Sequence, residues 1–232
     1  MTTSPPKFSE RVVQLVRANE RFALESAEAE RHRRLTELCD AREIPVDVDV
    51  RRVATADATA PTIALDAIRR AFAWRDVQLV SLGCRQSMTV ILGGTPAGAG
   101  RSSALARAVV HHPTLALFTS ARDVGWTSRT SRNRGAIAQW LHVDLLGVDD
   151  LDVLEKPEER QRVTELLVER AAAGRATLAA THLRLEAFEA AYVDARLASR
   201  LRGQVRGGRP DALPWWFELP SIDLRNEEGA TP

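Results

Sequence analysis

The residues with the clearest chemical potential form one short run, Gly93-Gly94-Thr95-Pro96-Ala97-Gly98-Ala99-Gly100-Arg101-Ser102. It lies between an apolar run of strand length, MTVIL at 88–92, and a helical pattern, SSALARAVV. A Gly-rich turn from strand into helix suits phosphate, because the first N–H groups of a helix lack intrahelical partners and point at any anion placed there. The usual spacing is GxxxxGK[ST]. Gly98, Gly100 and Ser102 fit it. Thr95 stands where the first glycine is expected and Arg101 where the lysine is expected. Arginine keeps the charge but is larger and planar, so it presents itself to phosphate differently from a compact ammonium. A side chain at the first glycine position meets a backbone that often needs unusual angles. The expected nucleotide seat is therefore Thr95, Pro96, Ala97, Gly98, Ala99, Gly100, Arg101, Ser102 and Ser103, with the Ser102 hydroxyl also a ligand for Mg²⁺. The plain alternative is a Gly-rich turn with no ligand.

Further along, VDLLGVDDL at 143–151 reads as a strand ending in Asp149 and Asp150. An acid at a strand end beside a phosphate loop can hold Mg²⁺, here Asp149, and its neighbour, Asp150, can polarise an attacking water. The pair could equally cap a helix or make a turn. Arg196 and Arg200 lie four apart in a helical stretch, a spacing typical of a solvated helix face. His182 closes the run ATLAATH at 176–182; alone, such a histidine is more often structural, but it could donate a hydrogen bond to phosphate. Trp215-Trp216-Phe217 could stack bases and suits an apolar core strand better. RNRG and RLRGQVRGGR are local basic patches that could meet DNA phosphates or stay solvated.

These residues need elements to position them. From Gln78 onward, strand-length apolar runs alternate with helices: 88–92, LALFT at 115–119, 143–151 and 176–182 as strands, and EERQRVTELLVERAAAG as a helix stopped by Gly174. ARDVGWTS begins a helix or loop, RNRGAIAQWL is helical, helices run from Arg184 to Leu201, and PWWFELPSIDL supplies a last strand. Strands alternating with helices predict an α/β domain with a parallel sheet. Upstream, the periodicity predicts a helix over Ser9–Ala41, charged in its second half, a short strand at 45–53, a linker at 54–61 and a helix over Thr62–Ala73. The charged half is either solvated or lies against a partner.

Bulk composition limits the possibilities. The chain has 232 residues, 44% hydrophobic and 27% charged, which is enough for a buried core and unlike a disordered chain. Net charge is +1, so no global basic field holds nucleic acid, and any DNA contact must be local. Lys7 and Lys156 are the only lysines. Cys39 and Cys84 fit no metal or CxxC spacing and read as free thiols in a reducing compartment. The N-terminus lacks an apolar signal core and no apolar run is long enough to span a membrane, so the expected location is cytoplasmic.

Taken in order, LALFTSARDVGW, LHVDLLGVDDLD, ATLAATHLRLEAF, DARLASRL and IDLR resemble successive segments of bacterial helicase loaders and transposition ATPases, the DnaC-type and IstB-type AAA+ proteins. The likeness covers about residues 62–225 and includes a degenerate Walker A motif. It implies an AAA+ P-loop core with a three-layer α/β fold over 62–232, preceded by an N-terminal helical partner-binding region and linker over 1–61. It implies ATP and Mg²⁺ as cofactors and a second Walker motif ending in Asp149 and Asp150. His182 takes the first sensor position, where the family usually has asparagine. Arg196 and Arg200 fall in the arginine-finger box, and Arg225 takes the second sensor position. An arginine finger reaches a neighbouring subunit's phosphate, so self-association is implied. The implied function is loading of a replicative DNA helicase onto single-stranded DNA. A transposition helper ATPase and a non-hydrolysing adaptor are the alternatives. Arg101 leaves ATP hydrolysis weak or lost.

Overall fold

The computed structural model describes residues 29–30, 33–44, 59–82, 87–94, 100–127, 134–205 and 215–219, with backbone alone for 59–63, 77–82 and 203–205. By compactness the chain divides into Met1–Ala41 and Arg42–Pro232. In the first unit residues 33–41 are helical, and Arg33 and Arg34 each pair with Glu30 at 2.8 Å. Such exposed i,i+3 and i,i+4 pairs are what the charged sequence favours, each worth about 0.2–0.5 kcal/mol. The strand expected at 45–53, and most of the helix expected from Ser9, lie outside the described residues.

The second unit is an α/β layered domain. Its elements in order are α1 (Thr59–Leu82), β1 (Met88–Gly93), α2 (Arg101–Val110), β2 (Ala116–Ser120), α3 (Ala121–Trp126), α4 (Arg134–His142), β3 (Leu145–Asp149), a 3₁₀ turn (Leu151–Val153), α5 (Pro157–Ala172), β4 (Ala176–Ala180), α6 (Leu185–Tyr192), α7 (Ala195–Val205) and β5 (Trp216–Glu218). The five strands form one parallel sheet in the order β2-β3-β4-β1-β5. Parallel neighbours need crossover connections, which is why helices separate nearly every pair of strands. β1, β3 and β4 are buried along their whole length, as a sheet covered on both faces requires.

Two local rules explain the longest helices. In α1, Ala64, Ala67, Ile68, Ala71 and Arg75 are buried, the i, i+3, i+4 spacing of one helix face. The helix begins inside the expected linker and runs past the expected end at Ala73 to Leu82, because no glycine or proline interrupts AWRDVQLVSL. α5 has Pro157 in its first turn with Glu158 and Glu159, and Arg170 in its last. It ends before Gly174, whose φ of +69° only glycine adopts freely.

Side chains close the sheet at its margins. Arg170 is fully buried at the N-terminal ends of the strands. Its guanidinium donates to the carbonyls of Trp140, Val143 (3.1 Å) and Ala176 and to the Thr177 hydroxyl (2.9 Å). Burial lowers its pKa to about 9. The edge strand β2 is covered by the segment at Arg42, whose carbonyl accepts from Phe118 N–H at 2.8 Å and whose guanidinium donates to the Thr114 and Ala116 carbonyls. On the other side β5 pairs with β1. The Trp215 and Trp216 rings pack 6.0 and 5.5 Å from Phe188, so these two half-buried tryptophans pack against the core. The Trp216 indole covers Gly93 so closely that a Cβ there would lie 2.0 Å from it.

Among the described residues no helix is long and apolar enough to cross a membrane.

Candidate nucleotide site

The sheet order decides which residues meet. β4 lies between β1 and β3, and Leu92 pairs with Ala180 while Val148 pairs with Ala179. The C-terminal ends of β1, β4 and β3 therefore align, and each continues into a chemically loaded segment.

β1 is followed by Gly94, which has φ +103° and donates its N–H to the Leu183 carbonyl at 2.9 Å. The loop residues Thr95, Pro96, Ala97, Gly98 and Ala99 lie outside the described residues. Gly100, with φ +73°, opens α2, and Arg101, Ser102 and Ser103 form its first turn. The N-terminus of a ten-residue helix is thus placed at the end of a central strand, which favours negative charge.

Arg101 does not point into solvent. It is buried, 4% exposed, and donates from Nη1 to the Gly94 carbonyl at 2.5 Å and from Nη2 to Nδ1 of His182. Burial lowers its pKa, while Asp152, Asp149 and Asp150 act to raise it.

β3 delivers the acids. Asp149 is 6% exposed, and its carboxylate accepts from the Asp150 N–H at 3.0 Å, with the Ser102 side chain close enough to act on its pKa. Its pKa is raised to about 6, first by burial and then by the charge of Asp150. Asp150 is exposed, with φ +55°, and starts the 3₁₀ turn. Asp152, a residue to which sequence reasoning gave no role, ties the two strand ends together. Its Oδ1 accepts from the Thr181 hydroxyl at 3.1 Å and from the His182 N–H at 2.7 Å. The only signal for it was a third acid two positions after the pair. Thr181 N–H in turn donates to the Leu92 carbonyl at 3.0 Å, so the end of β4 is fixed to both neighbours.

The structure thus brings Arg101, hydrogen-bonded to His182, and the group of Ser102, Asp149 and Asp150 to the same end of the sheet, where the acids act on the Arg101 charge. Arg196 and Arg200 are not part of it. Both are exposed on α7, whose opposite face buries Leu197 and Leu201. Asp194 caps α7 by accepting from Leu197 N–H at 2.8 Å, and Arg196 pairs with that same aspartate at 2.9 Å. Arg200 has no hydrogen bond or ion pair to another described residue. Arg225 lies outside the described residues.

A magnesium ion fits this donor set. A carboxylate this buried, with its pKa raised and the Ser102 side chain beside it, is an anionic centre short of compensating charge. Among the described residues no three His, Cys, Asp or Glu side chains converge on a metal position. Mg²⁺ in phosphate chemistry needs no such cage, since one or two protein oxygens, phosphate and water complete it. A cavity of about 520 Å³ lies elsewhere, between α1 and the C-terminal end of α2, lined in part by Phe72, Arg75, Arg107 and His112. An anion there would face the negative end of the helix, so the phosphate argument stays at the N-terminal end.

By class, then, this is an α/β core: a parallel sheet with β4 set between the loop-bearing β1 and the acid-bearing β3. No protein-family model matches the chain, and no curated protein matches it in sequence. Among solved structures it is similar to domain III of the Thermotoga maritima replication initiation protein DnaA, with a TM-score of 0.49 and 15% identity over 81% of this chain and 78% of that one. It is similar to DnaI, with a TM-score of 0.48 and 17% identity over 72% of this chain and 89% of that one. It is also similar to AMPPCP-bound DnaA from Aquifex aeolicus, with a TM-score of 0.46 and 16% identity over 69% of this chain. The chain spans about half the length of that DnaA, 50%. Likenesses at these identities say nothing of activity or partners.

Proposed function

We propose that the protein is an ATP-binding, helicase-loader-like AAA+ protein, and that residues 62–232 form its nucleotide-binding core. The observation that carries the nucleotide reading is the meeting of the first turn of α2, with its Ser102 side chain, and the end of β3, with its buried Asp149 carboxylate. It joins a phosphate-favouring helix end to a buried carboxylate. Mg²⁺, when bound, neutralises charge on the phosphates; Ser102 and Asp149 are the residues that would hold it. The α2 N–H groups and the Arg101 guanidinium face the phosphates, with the loop Thr95–Ala99 and Ser103 completing the seat. Asp150, exposed beside Asp149, would orient an attacking water, and His182 would hydrogen-bond water or phosphate. Arg200, and less directly Arg196, would act on a neighbouring protomer's nucleotide, and Arg225 on the protein's own.

The loader role, with residues 1–61 as the helicase-binding region and single-stranded DNA as a further partner, rests on the resemblance of the ordered segments to DnaC-type proteins. The purified full chain, mixed with the replicative helicase of its own organism, is expected to co-elute with it. Co-elution that survives deletion of residues 1–61 would remove the partner-binding role of that region, and absence of any complex would remove the loader role.

ATP binding and turnover with Mg²⁺, with and without single-stranded DNA, test the core. Binding lost in Ser102→Ala and Asp149→Asn supports it; binding that ignores both substitutions sinks it. A second reading, a non-hydrolysing adaptor, draws support from one observation. The Arg101 cation is already engaged by Gly94 and His182. Tight binding with no turnover in any condition would favour it.

A further inference from the structure

We infer that His182 is a positioning residue for Arg101, so that the two departures from the usual lysine and asparagine form one matched pair; this rests on the nucleotide reading above.

A guanidinium has donors only, so the Arg101–His182 contact requires Nδ1 of His182 to accept. The ring is then neutral and carries its proton on Nε2. The histidine is the fixed partner. Its backbone N–H is held by Asp152 at 2.7 Å, and the preceding Thr181 is held by Asp152 at 3.1 Å and by the Leu92 carbonyl at 3.0 Å. The arginine is the side chain that needs holding. It is long, and its buried charge lies beside acids that could draw it away from the phosphate seat. Two contacts, Gly94 on one nitrogen and His182 on another, set both the position and the plane of the guanidinium. A lysine, a point charge with rotatable donors, needs no such orientation. The imidazole therefore does for arginine what lysine does not require.

Side-chain geometry sharpens the claim. The asparagine Oδ1 occupies about the place of the histidine Nδ1, so asparagine at 182 keeps an acceptor for Arg101 while losing the outer Nε2–H. Alanine keeps neither. A charge-assisted hydrogen bond is worth about 1.5–3 kcal/mol, or roughly tenfold or more in affinity.

The experiment is a titration of the full chain with a fluorescent, non-hydrolysable ATP analogue and Mg²⁺, with folding of each variant checked by circular dichroism. His182→Ala is expected to weaken binding about tenfold or more, and His182→Asn by less than about threefold. In an Arg101→Lys background, His182→Ala is expected to cost less than about threefold. Equal losses from His182→Ala in both backgrounds, or an asparagine variant as weak as the alanine variant, would overturn the pairing while leaving nucleotide binding intact. Wild type that binds no analogue at all would overturn the nucleotide reading itself, and the pairing with it.

Discussion

Asp149 carries the sharpest consequence at the scale of single residues. Its folded pKa of about 6 lies above the ordinary aspartate value of about 3.9, so the folded state holds the proton where the unfolded chain has released it. Stability from this group therefore falls as pH rises through 4 to 6, and the full cost of a buried anion is present at neutral pH. Asp149→Asn removes that cost. The variant is expected to be more stable than wild type at pH 7.5 by roughly 2 kcal/mol without Mg²⁺, and the gap should close near pH 4. Urea unfolding at the two pH values measures this, and a variant less stable at pH 7.5 would contradict it. The same variant is expected to lose Mg²⁺-dependent ATP binding, the trade of stability for function common at active sites. The two arginines of α7 separate similarly. Arg196 is occupied by Asp194, whereas Arg200 is exposed without a described partner. Under the proposed function, Arg200→Ala should lower ATP turnover about a hundredfold or more, with ATP affinity and melting temperature unchanged. Arg196→Ala should lower turnover far less; a reversed order would move the finger to Arg196. The sequence made Ser102 and Asp149 legible because each has a motif position. It could not reveal that Arg101 and His182 touch, since residues 81 positions apart share no local pattern, nor that Asp152 joins β3 to β4.

Elements were easier to read than contacts, and the reasons are physical. Runs such as MTVIL and ATLAA are apolar without alternation because their strands are buried on both faces. Gly174 marks the end of α5 because a positive φ was needed there. The far end of α1 was not legible, because VQLV suits a strand by composition and only packing decides. The sheet order was not legible either, since strand adjacency is a non-local choice. One element junction tests how tightly order and composition are linked. Gly93 ends β1 directly beneath the Trp216 indole, 2.0 Å from where a Cβ would lie. Gly93→Ala must displace β5 or the ring, a form of overpacking that costs about 1–3 kcal/mol. The substitution should cost much less in a Trp216→Leu background, where the smaller side chain leaves room. Denaturant midpoints of the four proteins in this cycle measure the coupling. Additive losses would show that the alanine strains the strand itself, not its aromatic neighbour.

At the scale of the whole domain, the sheet is fastened at both ends of its strands by a charged side chain, and the two fasteners do different work. At the N-terminal ends Arg170 gathers carbonyls from the end of α4, the approach to β3 and the start of β4. It lies at the opposite ends of the strands from the proposed phosphate seat. At the C-terminal ends Asp152 gathers Thr181 and His182, and so sets the side chain that holds Arg101. Under the proposed function, the chain separates stability from function along the strand direction. Arg170→Met keeps much of the volume but leaves several buried carbonyls without donors, and is expected to cost about 3–5 kcal/mol. Nucleotide affinity of the protein that remains folded should change by less than about twofold, because the sites share no partners. Asp152→Ala removes two hydrogen bonds at a half-buried position, for about 1–3 kcal/mol, and should weaken ATP binding by about tenfold or more. Parallel measurement of melting temperature and ATP affinity for both variants checks the separation. If Arg170→Met lowers affinity as much as Asp152→Ala does, the two ends are coupled through the sheet, and the site depends on the whole domain, not on the strand ends that carry it.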